Sequence, residues 1–252
     1  MAVTIAVLSL KGGTGKTTTV RTLADVLRRV GLDVLAIDLD PQGNLSDYFD
    51  VPADASPSMA DVLSGDAKVK EAIYDGGIVP ATLNLAEVER SLSGKMGREV
   101  VLKKALKDLR RAYDVILIDC PPALGLLTIN GLVASDYALI SSEAQYFALQ
   151  GVNGAVELIE QVREYYNDDL ELVGVLLNIA DMRTTHSRDA YTQLQEVFGE
   201  KVFASVIRSS IAYAESAEKA LSILEYRPDL GADYLALADE VLSRIGRPQP
   251  LH

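Results

Sequence analysis

The sequence predicts an α/β protein in which a single domain carries a mostly parallel, twisted sheet with helices on both faces. Short, nearly continuous aliphatic runs recur along the chain, and stretches with apolar residues three and four apart fall between them. Composition points the same way. Of the 252 residues 48% are apolar but only 6% aromatic, and tryptophan is absent, so the core rests on Leu, Val, Ile and Ala as layered α/β cores do.

In chain order, the runs at residues 3–8, 34–37, 115–118, 137–140 and 172–177 are almost wholly apolar. Strands buried on both faces of a parallel sheet read this way. Residues 17–30, 99–113, 126–134, 151–165, 187–198 and 229–245 repeat apolar side chains at helical spacing, which predicts helices with one buried stripe. The order is therefore βαβα, and parallel neighbours joined through helices follow from it. Only residues 47–95 read as irregular, punctuated by Pro52, Pro57, Gly76, Gly77 and Pro80. No repeat or linker divides the chain, so residues 1–252 are expected to form one domain. A short flexible tail is expected at about 247–252, where Pro248 and Pro250 oppose helix.

Lys and Arg number 24 against 36 Asp and Glu, a net charge of −12. A surface basic all over is excluded, so any contact with nucleic acid has to be local. Cys120 is the only cysteine, which excludes an intramolecular disulfide and a cysteine-ligated zinc site or cluster within one chain. His186 and His252 add little metal-binding capacity. The N-terminus, MAVTIAVLSLKGG, lacks the basic start and apolar length of a secretion signal, and no run of about 18 apolar residues occurs. A cytoplasmic protein that makes no use of a membrane is expected.

The most specific local pattern is Leu10-Lys11-Gly12-Gly13-Thr14-Gly15-Lys16-Thr17-Thr18, directly after the first apolar run. A strand, a glycine-rich turn and a helix start gather backbone N–H groups around one point, which suits a polyphosphate. Gly12, Gly13 and Gly15 permit close backbone approach, with Thr14 between them. Lys16 supplies a cation to the β- and γ-phosphates, Thr17 offers a hydroxyl to Mg2+, and Thr18 is expected to support the α-phosphate.

Two acidic strand ends complete the pattern. In Ile37-Asp38-Leu39-Asp40-Pro41-Gln42-Gly43-Asn44, alternation puts Asp38 and Asp40 on the same side of an extended segment, where ligands of open α/β sheets bind. Carboxylates there hold Mg2+ or orient water. In Val115-Ile116-Leu117-Ile118-Asp119-Cys120-Pro121-Pro122, Asp119 follows a buried strand, the Walker-B position that binds the Mg2+ shell. Cys120 has no His or second Cys at motif spacing and reads as a buried filler.

With these residues the chain resembles the ParA/MinD family of deviant Walker-A ATPases, whose loop reads Lys-Gly-Gly-x-Gly-Lys-Thr-Thr and is matched at residues 11–18. An ordinary P-loop would place its first glycine at position 10, which is Leu10 here. The resemblance runs from Val3 to about Ile245. It includes Tyr146-Phe147-Ala148-Leu149-Gln150-Gly151, Leu224-Glu225-Tyr226-Arg227-Pro228, and a switch-like segment at 123–130. It implies a P-loop NTPase that takes ATP and Mg2+ and closes as an ATP-dependent homodimer. The family's first lysine crosses to the partner's phosphates, a role carried onto Lys11. Asp40 becomes the residue that positions or activates the attacking water, and Asp38 sits nearer the metal. Asn178, ending a later strand, takes either the family's adenine-contacting role or that of a turn cap.

The branch that fits is the short, Soj-like ParA. The stripe of Leu230, Tyr234, Leu237 and Val241 reads as a core face rather than a membrane face, and the first strand begins at Val3 with no room for a preceding DNA-reading domain. Such proteins bind nonspecific DNA as ATP dimers. The implied function is chromosome or plasmid partition on the nucleoid, with hydrolysis stimulated by a ParB-like adaptor whose basic N-terminal tail would meet this acidic surface. Two basic sets are candidates for DNA. Arg183, Arg188 and Arg208 lie in the carboxyl third, where the resemblance puts such contacts. Lys103, Lys104, Lys107, Arg110 and Arg111 form a stripe within residues 95–111, which hold seven basic and two acidic side chains. A solvated helix face looks the same. Rival readings are a related ATPase that moves a protein cargo over the nucleoid, a P-loop kinase, and a nucleotide-binding module without appreciable turnover.

Overall fold

The computed structural model describes residues 1–145 and 148–247. Tyr146 and Phe147, and residues 248–252 of the expected tail, lie outside the described residues. Seven strands are described: β1 (Val3–Leu8), β2 (Val34–Asp38), β3 (Ile78–Val79), β4 (Val115–Asp119), β5 (Tyr137–Glu143), β6 (Glu171–Ala180) and β7 (Val202–Arg208). They form one sheet in the order β3-β2-β4-β1-β5-β6-β7, parallel at every pairing. The helices are α1 (Lys16–Arg29), α2 (Asn44–Tyr48), α3 (Met59–Ser64), α4 (Asn84–Leu92), α5 (Val101–Leu106), α6 (Leu126–Val133), α7 (Ala148–Tyr165), α8 (Thr185–Phe198), α9 (Ala212–Glu218), α10 (Ile223–Tyr226) and α11 (Pro228–Arg244).

Both faces of the sheet are covered, which is why its central strands are apolar at every position rather than at alternate ones. Ala6, Leu8, Ile116, Ile118 and Ile140 pack on one face against Leu102 and Leu106 of α5, Leu132 of α6 and Ile159 of α7. Ile5, Val7, Val115, Leu117 and Leu139 pack on the other against Val20, Leu23 and Leu27 of α1 and Leu237 and Val241 of α11. Each fully buried leucine contributes about 1.5–3 kcal/mol. The chain leaves β1 towards β2 and β3, then returns through β4 and crosses β1 to reach β5. That reversal opens a crevice at the carboxyl ends of the central strands. In the ladder, Asp119 pairs with both Val7 and Asp38, so the ends of β1, β2 and β4 lie level.

Three expectations need correction. Residues 47–95 are not irregular, since they contain the end of α2, all of α3 and α4, and strand β3. These elements span two to nine residues, too short to show a period, and α4 buries only Leu85 and Leu92. The helix expected over 99–113 is broken into a 3-10 turn at Arg98–Val100, α5, and another turn at Leu109–Arg111. Buried Asn130 of α6 supplies the cause at the amino end. Its carboxamide accepts from Leu102 N at 3.1 Å and donates to Arg98 O at 2.8 Å, taking backbone groups that a continuous helix would use. Strand β7 escapes the sequence because Ala204 and Arg208 are exposed and the apolar run is interrupted. The short helices α9 and α10 also have no expected counterpart, and the bounds of the other expected elements differ by only a few residues. Among the described residues no helix is long and apolar enough to cross a membrane.

Candidate nucleotide site

The loop between β1 and α1 turns at Gly13 and Gly15, with φ of 77° and 79°. Side chains rarely adopt this region, so both positions favour glycine. Gly15 also lies so close to Asn178 that an added Cβ would sit 2.5 Å from its Nδ2. No side chain caps the N-terminus of α1, and a Cβ at Gly12 or Gly13 would meet nothing within 4 Å. The first N–H groups of α1 therefore face an open cradle suited to an anion. The cradle forms one wall of a cleft of about 810 Å³, lined by Gly12, Gly13, Thr14, Gly15, Lys16, Thr17 and Thr18, with Asp40 also in its lining.

Lys16 is 6% exposed and has no ion-pair partner among the described residues. A buried cation without a partner is costly unless a ligand supplies the charge. The Thr17 hydroxyl donates to Asp119 Oδ2 at 2.6 Å, while the other oxygen of this fully buried carboxylate has no partner. Threonine hydroxyl, orphaned carboxylate oxygen and phosphate cradle together fit a nucleoside triphosphate with Mg2+. Among the described residues no three Asp, Glu, His or Cys side chains converge as a metal cage. A divalent ion held here draws its other ligands from phosphate and water, as Mg2+ does in such sites.

The two aspartates after β2 part company. Asp40 lines the cleft and accepts from Gln42 N at 3.0 Å. Asp38 is fully buried outside that lining, where it accepts from Ser46 N at 2.9 Å, Ser46 Oγ at 2.7 Å and Asp40 N at 3.0 Å. The structure thus gives Asp38 the task of fixing the turn that presents Asp40. Burial raises the carboxyls of Asp38 and Asp119 above the ordinary range, and for Asp119 the neighbouring Asp38 adds to it. A raised carboxyl holds its proton in the folded state at a pH where the unfolded chain has lost it. These two groups therefore make stability fall as pH rises from about 4 towards about 8. Thermal melts without nucleotide or divalent ion should show this fall, and Asp119→Asn should flatten it. An unchanged slope in that variant would assign the effect to other groups.

Asn178 lies inside β6, near its carboxyl end, and its Oδ1 accepts from Ile179 N at 2.9 Å. Its Nδ2 lies 3.0 Å from Thr19 Oγ1 and 3.3 Å from both Gly15 O and Ser141 Oγ, acceptors for its two N–H groups, and it also lines the cleft. Ser141 in turn donates to Thr14 O at 2.7 Å. Ser141 and Thr19 thus brace the loop from β5 and α1, a role that no spacing in the sequence signals. Ser210, Tyr213 and Tyr234 also reach the cleft, brought there by the crossing from β7 to α11. Lys11 behaves unlike Lys16. It is exposed, lies outside the cleft lining and donates to Gln145.

The arginines are scattered in role. Arg208 lines the cleft and is held by Asp233, with Nε 2.8 Å and 3.1 Å from its two carboxylate oxygens. Arg183 forms a two-pronged pair with Asp181 at 2.8 Å and 2.9 Å, and Arg188 donates to the carbonyls of Met182 and Arg183.

A phosphate cradle at the reversal point of a parallel sheet, with a threonine and an acidic strand end behind it, defines a P-loop nucleoside triphosphatase. A profile of the AAA domain matches residues 2–172. The sporulation initiation inhibitor protein Soj of Bacillus subtilis is 39% identical over 245 residues, covering 94% of this chain and 97% of that protein. The chromosome-partitioning ATPase Soj of Thermus thermophilus is 37% identical over 246 residues, covering 96% of each. A cobyrinic acid a,c-diamide synthase from Mycobacterium smegmatis, solved with an ATP analogue and magnesium, is 38% identical. Its TM-score is 0.79, and the match covers 86% of this chain and 93% of that one. The chain belongs to the ParA/Soj family of P-loop ATPases.

Proposed function

We propose that this chain is an ATPase that works as a dimerisation switch in chromosome or plasmid partition: it binds nonspecific DNA as the ATP dimer on the nucleoid and lets go after hydrolysis. The observation that carries this reading is the divergence of its two loop lysines. Lys16 is buried at the cradle of its own cleft, whereas Lys11, five residues earlier, is exposed outside that cleft. A cation placed there serves a second subunit's phosphates better than its own. Thr17 would hold Mg2+, which when bound would neutralise charge on the phosphates. Asp119 orients the Thr17 hydroxyl, Lys16 meets the β- and γ-phosphates, and Asp40 orients the attacking water. Differential affinity of the open and closed states for DNA then carries the function. The name of the Thermus thermophilus relative, a chromosome-partitioning ATPase, supports partition as the process. The acidic surface suits an activating adaptor with a basic N-terminal tail of ParB type.

Lys11→Ala tests the reading. It should retain substantial nucleotide binding yet lose the ATP-dependent dimer in light scattering. Wild-type dimerisation of the variant would show that Lys11 does not bridge subunits.

A further inference from the structure

At the amino ends of the strands, opposite the cleft, the turn Leu109–Arg111 runs into β4 and the turn Val69–Ala72 runs towards β3. Arg110 fixes this placement, donating to Ala2 O at 3.0 Å and pairing with Asp136, residues that precede β1 and β5. Between the two turns lies a groove of about 420 Å³ carrying Lys68, Lys70 and Lys104, with Asp108 also in its lining. Lys103, Lys107 and Arg111 stand exposed on the same segment, Lys103 reaching Asn167 at 3.3 Å.

Among the described residues none of these six cations is within ion-pair reach of a carboxylate. The contrast with Arg183 and Arg208 decides which basic set faces a polyanion. Each of those must leave its aspartate to meet a phosphate, and the aspartate would then stand against the ligand's own charge. We propose that the lysine-rimmed groove and the adjoining stripe dock the phosphate backbone of duplex DNA. The inference rests on the DNA-binding reading above and moves the contact to a different surface.

The chemistry favours a duplex over an acidic peptide. Asp108 repels a peptide carboxylate lying in the groove, whereas a duplex is too broad to enter and rests on the lysines at its rims. The groove lining holds no aromatic ring and no carboxamide, so it offers nothing to stack on or read bases and responds to phosphate charge alone. From Lys103 to Arg111 the stripe, partly α5 and partly 3-10 turn, runs at least about 12 Å. Duplex DNA presents about seven phosphates over that length. The surface is complete in one protomer and remote from the cleft. Closure at the cleft carries two such surfaces to opposite poles of one particle. Nucleotide therefore acts on affinity for long or crowded DNA that both poles hold at once, rather than for a single short duplex.

Fluorescence anisotropy of a labelled mixed-sequence duplex tests this, using the full chain with ATP, ADP or neither, from about 50 to about 200 mM salt. Lys70→Ala, Lys104→Ala and Lys107→Ala combined should weaken binding at least about tenfold. They should also flatten the slope of log affinity against log salt by about three, one per lost phosphate contact. Replacing the same three lysines with arginine should keep the affinity, and ATP turnover without DNA should be unchanged in both triples. Arg183→Ala with Arg188→Ala should bind as wild type. The inference is overturned if the alanine triple binds the duplex as tightly as wild type, which leaves DNA binding intact on another surface. It is overturned if the arginine triple also loses binding, or if polyglutamate displaces the duplex at equal charge. Wild-type chain that binds no duplex in any nucleotide state overturns it together with the DNA-binding reading.

Discussion

Lys16→Ala is expected to weaken ATP binding by at least about a hundredfold in calorimetric titration. The lost interaction is a charge-assisted contact made by a buried, otherwise unpaired ammonium. Such contacts are worth about 1.5–3 kcal/mol each, and the three N–H donors of an ammonium in the cradle could serve more than one phosphate oxygen. A second effect runs in the same direction. Lys16 is the cation that draws the Asp119 carboxyl downward against its burial. Without it Asp119 holds its proton more firmly, and the carboxylate that serves Mg2+ is less available. Affinity within a few-fold of wild type would remove the cradle assignment.

Asp40→Ala should leave ATP binding and the dimer intact while turnover falls by about 10²–10⁴-fold, the usual contribution of a positioned acid or base. Its geometry supports this separation. One carboxylate oxygen is occupied by Gln42 N, and among the described residues the other has no protein donor while the side chain lines the cleft. Asp38, two residues earlier, is already satisfied by Ser46 and cannot substitute without dismantling its turn. Single-turnover hydrolysis and light scattering in the same sample check the prediction. Turnover at the wild-type rate would place the water elsewhere.

Much of the fold was legible because a doubly covered parallel sheet writes itself as runs such as 115–118, apolar at every position. The cradle was legible because its chemistry is local: nine consecutive residues carry the turn, the cation and the hydroxyl. What stayed hidden was non-local. Asn130 breaks a helix about thirty residues away, and Ser141 braces Thr14 from the neighbouring strand, contacts that no spacing in the sequence signals. Alternation along an extended strand put Asp38 and Asp40 together. The strand ends at Asp38, however, and the turn sends the two carboxylates to different surroundings. Arg208 looked like a free basic residue because its partner Asp233 is 25 positions on.

The treatment of β7 bears on how copies of this chain associate. Glu240 of α11 accepts from Ala204 N at 3.0 Å and Ser205 N at 2.7 Å, and Arg244 donates to the carbonyls of Lys201 and Val202 at 3.0 Å. Four backbone groups at the amino end of this outer strand are thus taken up by one helix. At the far side β3 is only two residues long. A sheet with one margin partly covered and the other only two residues long is a poor template for sideways growth into a fibre. In the ATP-dependent dimer proposed above, contact between copies then falls to side chains and ligand at the carboxyl-end face, so assembly can be timed by a chemical clock instead of running on by backbone templating.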